Sequence, residues 1–180
     1  MPITADHIRT TLAEYTDAHP EEKSAPAIVH ELIDQGADVT SRKEFRGHAT
    51  AGAVVVNVDA QALFIRHVAL GKRLTPGGHL EPEDASALGA ALRELIEETG
   101  LALSVSPVRA VPIHIDVHPI PANEGKGEPA HQHFDFRYLF RLEGDHAVTL
   151  QVEEVSGYAW RGVDTITDET LRERVLAALR

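Results

Sequence analysis

Two periodicities alternate along this chain. In the first segment apolar Ile8, Leu12 and Tyr15 fall near the i, i+4, i+7 spacing of one helix face. Thr4 or Asp6 stands where a capping side chain is needed, and Pro20 ends the segment. A second helix is predicted over 24–35, with Ile28, Leu32 and Ile33 facing inward and Gly36 as its stop. From residue 48 the texture becomes strand-like. Residues 51–58 are dense in β-branched side chains, and Leu63, Phe64 and Ile65 follow a turn at Asp59-Ala60, which predicts a β-meander. Thr75, Pro76, Gly77 and Gly78 interrupt the pattern as a tight turn, and 84–99 reads as one helix closed by Gly100. Further strands are expected within 104–117 and 131–142, separated by a mobile loop at 119–129. Short strands at 148–151 and 157–160 and a terminal helix at 166–179 complete the reading. The order predicts an α/β fold with a mixed sheet between helices. Residues 1–45 are expected to form an N-terminal helical extension, and 46–180 the main domain.

Composition narrows the function classes. The 180 residues contain no cysteine, which excludes a disulfide framework, a thiolate zinc site and a cysteine nucleophile. No apolar run approaches the ~20 residues needed to cross a bilayer. Residues 1–7 carry neither a basic stretch nor an apolar core, so a cytoplasmic protein without membrane partners is expected. The formal charge of −11 disfavours DNA or long RNA as a partner. A small phosphorylated substrate remains compatible with that charge, because a bound divalent cation reverses the local field.

Candidate chemistry concentrates in 77–101. With about 100° per residue, Glu94, Glu97 and Glu98 share one helix face, and Leu88, Ala91, Leu92 and Leu95 gather about a quarter-turn away. Like charges at that spacing destabilise a helix unless compensated. A solvated helix face is the ordinary explanation of such a run; a divalent cation is the functional one. Carboxylate oxygens without cysteine favour a hard ion, Mg²⁺ or Mn²⁺. The glycine turn at Gly77 and Gly78 offers a backbone carbonyl to the same ion.

The segment resembles the Nudix box, G-x5-E-x7-R-E-U-x-E-E-x-G-U, with U aliphatic. Gly78, Arg93, Glu94, Leu95, Glu97, Glu98, Gly100 and Leu101 fit it. Asp84 stands where the first Glu is usual, and the interval to Arg93 is one residue longer than the consensus. The resemblance implies a Nudix-type α/β/α sandwich and metal-dependent hydrolysis of a phosphoanhydride bond in a nucleoside diphosphate linked to another moiety. It implies Gly78, Glu94, Glu97 and Glu98 as metal ligands and Glu94 or Glu98 as the residue that orients or deprotonates water. Arg93 would orient the carboxylates, with Asp84 bracing the helix through it. More weakly, the spacing of Glu154 and Trp160 is similar to a late element in many relatives, adding Glu154, and secondarily Glu153, to the metal candidates. A homodimer is compatible with the family, and a ligand-sensing module without catalysis is the alternative reading.

The remaining signal is histidine. His131, His133 and Asp135 alternate along one predicted strand and His114, Asp116 and His118 along the preceding one, so each set shares a face. If the strands are neighbours, these residues line one side of the sheet, either as a hydrogen-bonded polar face or as a site for substrate phosphate or a transition metal. His79, directly after the glycines, joins His131, His133 and Asp135 as a substrate candidate.

Overall fold

A computed structural model describes residues 2–68, 71–101, 105–144, 147–151 and 155–180. Helix α1 (Ala5–Ala18) starts where the Thr4 hydroxyl accepts the His7 N–H, and it buries Ile8, Leu12 and Tyr15. Helix α2 (Ser24–Asp34) buries Ala25, Val29 and Ile33, while Ile28 is left 39% exposed. Ile28 therefore does not face inward as predicted. Ile28/Leu32 and Val29/Ile33 are both i, i+4 rows, and the sequence alone does not say which row turns to the core; the structure centres the face on Val29.

The sheet is built around β1 (His48–Val56), buried along its whole length. On one side β1 runs parallel to β7 (His131–Leu142), in register from His48↔His133 to Val56↔Arg141. The far edge of β7 carries β5 (Val105–Pro107) and β6 (His114–Ile120), both antiparallel. On its other side β1 meets β2 (Gln61–His67) and β4 (Gly77–His79), and β2 in turn pairs with β3 (Arg73–Leu74) and β8 (Val155–Gly162). This is a mixed sheet, as expected.

Small residues of β1 sit beside large ones of β7: Ala49 beside Phe134, Ala51 beside Phe136, Ala53 beside Tyr138. These side chains form the larger core with α1, α2 and helix α3 (Ala87–Thr99). On the opposite face Val54, Val56 and Leu139 pack with Leu171 and Val175 of α4 (Glu169–Ala178). The result is a three-layer α/β/α arrangement. Helix α1 is tied into it by polar contacts as well. The Tyr15 hydroxyl accepts from Arg174 Nη1 at 2.7 Å and from the Ile115 N–H at 3.3 Å, and the Ala87 N–H donates to His7 Nε2 at 3.3 Å. No helix among the described residues is long and apolar enough to cross a membrane.

Four local predictions change. Gly77 and Gly78 belong to a short strand, β4, rather than only to a turn. Their lack of a side chain is what permits the pairing: a Cβ at Gly77 would lie 2.8 Å from the Ala51 carbonyl oxygen. Helix α3 begins at Ala87 and not at Asp84, because Ser86 takes the capping role and accepts the Gly89 N–H at 3.0 Å. Residues 148–151 are not a strand. Thr149 and Gln151 donate their N–H groups to the Thr99 and Glu98 carbonyls, satisfying acceptors that the end of α3 leaves open. Within the predicted loop, Pro119 and Ile120 still belong to β6, and an Asn123–Glu128 bridge closes around a 3₁₀ turn.

Candidate active site

Helix α3 presents its acidic face to the backbone of β4. The Glu98 carboxylate lies inside the protein, 2% exposed, and accepts the Gly77 N–H at 3.0 Å. Glu94 lies directly over Gly78, so closely that a Cβ there would run into its carboxylate. Glu97, one turn on, is exposed. The sequence placed Gly78, Glu94, Glu97 and Glu98 together, and the fold brings the helix and the glycine strand into contact.

Arg93 organises this surface. Nε and Nη2 donate to the two oxygens of Asp84, both at 3.0 Å. Nη1 donates to Glu94 and Glu97, both at 2.9 Å, and Nη2 also donates to the His79 carbonyl at 2.9 Å. All five guanidinium N–H groups are used. Hydrogen bonds that Arg93 donates to Asp84 and Glu94 raise its pKa further above its ordinary value. Asp84, 7% exposed, also accepts the Glu81 N–H at 2.8 Å, so it braces the turn before α3. One guanidinium thus serves three carboxylates, while Glu98 of the same helix meets the Gly77 amide. Hard oxygen donors suit a divalent cation such as Mg²⁺. Glu154 and Glu153 lie outside the described residues.

The opposite face of the sheet carries the histidines. Pairing of β6 with β7 sets His118 beside His133 and Asp116 beside Asp135, so the two alternating sets are neighbours. Asp135 accepts from Thr50 at 3.2 Å and from Arg137 Nε at 2.8 Å, which fixes it in a hydrogen-bonded polar network. His131, His133 and His79 form a different group, because the parallel register of β1 adds His48, whose ring lies 4.8–5.2 Å from each of them. His48 was not singled out in the sequence. Its only local signal is that it alternates with Thr50 and Gly52. Arg137, two residues beyond Asp135, was likewise missed.

Burial keeps several of these imidazoles neutral. Desolvation, aided by the charge of Arg42 and by His48, pushes His79 down to about 4. Desolvation and the neighbouring His48 and His79 rings push His133 down to about 3, and burial lowers His48 as well. In the unfolded chain such rings titrate near 6.5. Between 6.5 and about 4 the unfolded state therefore takes up protons that the native state refuses, so this stability is complete above 6.5 and is lost as pH falls. His79 and His133 each contribute a slope of at most about 1.4 kcal/mol per pH unit in that window. Glu44, held at about 2 by Arg46, adds its own loss only below its ordinary value of 4.5. The urea midpoint of the chelator-treated chain should fall steadily from pH 7 to pH 4.5, and less steeply in His133→Gln. A flat midpoint over that range would show that the rings protonate freely in the native state.

The NUDIX domain profile matches residues 46–179. A probable DHNTP pyrophosphohydrolase of Lactococcus lactis is 37% identical over 115 residues, 60% of this chain and 66% of that protein. An m7GpppN-mRNA hydrolase of Bos taurus is 35% identical over 95 residues, 49% of this chain and 31% of that protein. The match therefore spans less than two thirds of either relative's own length. Among solved structures, a C. elegans Ap4A hydrolase superposes with a TM-score of 0.56 at 18% identity, over 73% of this chain and 96% of that one. The E. coli dihydroneopterin triphosphate pyrophosphohydrolase gives 0.55 at 13%, over 72% and 92%. At these identities the two structures show a shared fold.

Proposed function

The chain belongs to the Nudix family, and from that membership we propose that it is a divalent-metal-dependent hydrolase of a phosphoanhydride bond in a nucleoside diphosphate linked to another moiety. The observation that carries the reading is the packing of α3 onto β4, which sets Glu98 against the Gly77 N–H and Glu94 against Gly78. Glu94, Glu97, Glu98 and the Gly78 carbonyl would hold the ion, with Glu154 as a further candidate from its place in the sequence. A bound Mg²⁺ or Mn²⁺ would offset charge on the phosphate oxygens and lower the pKa of a water it carries.

The chain's own residues do the rest. Arg93 fixes the rotamers of Glu94 and Glu97, so that these carboxylates are oriented before substrate arrives. Glu98, anchored on the Gly77 amide at a buried position, would act with Glu94 to orient or deprotonate the attacking water. His79 continues β4 past the glycines and stands on the far side of the sheet from the carboxylates.

The test is hydrolysis across a panel of nucleoside triphosphates, dihydroneopterin triphosphate, ADP-ribose, nucleotide sugars, dinucleoside polyphosphates, NADH and capped RNA. Each is run with Mg²⁺, with Mn²⁺ and with chelator. Cleavage of at least one member is expected, abolished by chelator and restored by excess metal. Tight binding of a panel member with no turnover under any metal would replace the hydrolase with a ligand-sensing module.

A further inference from the structure

The imidazole cluster lies on the α4 side of the sheet, away from the carboxylates of α3. His48, His79 and His133 come from three strands, β1, β4 and β7, and one ring nitrogen of each lies within 4.8 Å of the others. His131 adjoins them, its Nε2 3.3 Å from Nε2 of His133. Two ligands of a tetrahedral zinc ion, each about 2.05 Å from the metal, stand about 3.3 Å apart. Imidazoles without thiolates suit Zn²⁺ and its first-row neighbours, whereas Mg²⁺ prefers oxygen.

The tautomers are set for ligation. His48 Nδ1 stands 3.2 Å from the Glu44 carbonyl oxygen and His131 Nδ1 stands 2.8 Å from that of Pro129. A carbonyl only accepts, so both rings carry their proton on Nδ1 and turn the Nε2 lone pair towards the cluster. A backbone carbonyl holding the far nitrogen is the arrangement that metal-bound histidines favour. His48 is 1% exposed, and its Nε2 is buried without a hydrogen-bond partner. A buried lone pair left unsatisfied costs about 1–3 kcal/mol, so its position inside a group of imidazoles calls for a ligand.

The neighbouring cluster of His114, Asp116 and Asp168 provides the contrast. There Arg137 reaches Asp116 at 3.1 Å and Asp168 at 3.6 Å, so a guanidinium already occupies the place a cation would take. In the trio of His48, His79 and His133 the members are all imidazoles.

We propose that His48, His79 and His133 form a binding site for one transition-metal ion, Zn²⁺ in the first instance, separate from the carboxylate site of α3, with His131 packed against His133 at its edge. The two sites are back to back on β4. Gly78 faces Glu94 on one side of the strand, His79 faces the imidazoles on the other, and the His79 carbonyl accepts from Arg93. An ion on His79 therefore holds the strand on which the carboxylates of α3 rest, and its role is to fix that strand.

The full chain, stripped of metal by chelator and dialysed into excess Mg²⁺ so that carboxylates are saturated, is titrated with Zn²⁺ and, separately, with Co²⁺. One equivalent of Zn²⁺ should bind and raise the thermal midpoint, and Co²⁺ should develop the intense visible absorption of a tetrahedral nitrogen site. His79→Gln and His133→Gln should each weaken binding by at least about 100-fold, since loss of even an outer partner of a metal ligand costs about 10–100-fold. Circular dichroism confirms that each variant is folded, and both side chains are only partly buried, so folding should survive. Glu97→Gln and His118→Gln should leave Zn²⁺ affinity unchanged. Equal affinity in wild type and folded His133→Gln, a weak octahedral Co²⁺ spectrum, or loss of binding in Glu97→Gln but not in the histidine variants would each overturn the site.

Discussion

Replacing Glu98 by Gln should lower turnover by about a thousandfold and leave the fold as stable as before, or more so. The two effects separate because Glu98 combines a structural contact with a charge. Its oxygen accepts the Gly77 N–H at 3.0 Å, and a glutamine carbonyl oxygen can keep that bond. At 2% exposure an ionised carboxylate is costly to bury, so a neutral amide relieves desolvation. What is lost is the charge that would hold a divalent cation and activate water. If that charge supplies about 4 kcal/mol of transition-state stabilisation, the loss is about 1000-fold in rate. The measurements are kcat/KM on the substrate that the panel identifies, Mg²⁺ affinity, and the urea midpoint. A rate within tenfold of wild type at saturating Mg²⁺ would remove Glu98 from the site. Glu98→Ala is the comparison, because it leaves the Gly77 amide without that acceptor and should cost stability as well as rate.

The acid face was legible because it is local. Glu94, Glu97 and Glu98 are separated by three and four residues on one helix, and their angular relation follows from helix geometry alone. The alternation of His131, His133 and Asp135 was legible for the same reason, with strand geometry in place of helix geometry. The contact of Glu98 with Gly77 was not, since 21 residues separate them and two glycines carry no strand propensity of their own. Only the close approach to Ala51 and Gly52, which a side chain would block, makes them a strand. His48 was missed on similar grounds. Its neighbour His133 is set by the parallel pairing of β1 with β7, a register that nothing within residues 48–56 encodes. The sequence predicts a helix that starts at Asp84, yet the Asp84 carboxylate pairs with Arg93, and Ser86 caps in its place. In each case local periodicity fixed which residues share a face, and tertiary contact decided what that face meets.

Arg93→Met should destabilise the protein by about 3–5 kcal/mol, the usual cost of removing one partner from a buried ion pair. Arg93 makes five side-chain hydrogen bonds, two of them to Asp84. Without the guanidinium, Asp84 is a carboxylate at 7% exposure deprived of its cation, and Glu94 and Glu97 lose the charge between them. Lysine restores the charge but not the fork. With three donors on one nitrogen it cannot bind both Asp84 oxygens in plane and still reach Glu94, Glu97 and the His79 carbonyl. Arg93→Lys should therefore recover less than half of the lost stability. Asp84→Asn in the Arg93→Met background should recover part of it, because the stranded charge is gone, giving a coupling energy above about 1.5 kcal/mol in the double-mutant cycle. Additive single and double changes would mean that Arg93 and Asp84 act independently. A cost below about 1 kcal/mol for Arg93→Met would mean that the arginine is an exposed ion-pair partner of ordinary worth. The strong outcome ties stability and catalysis to one side chain: the guanidinium that lets Asp84 be buried is the same group that holds Glu94 and Glu97 in position beside Gly78.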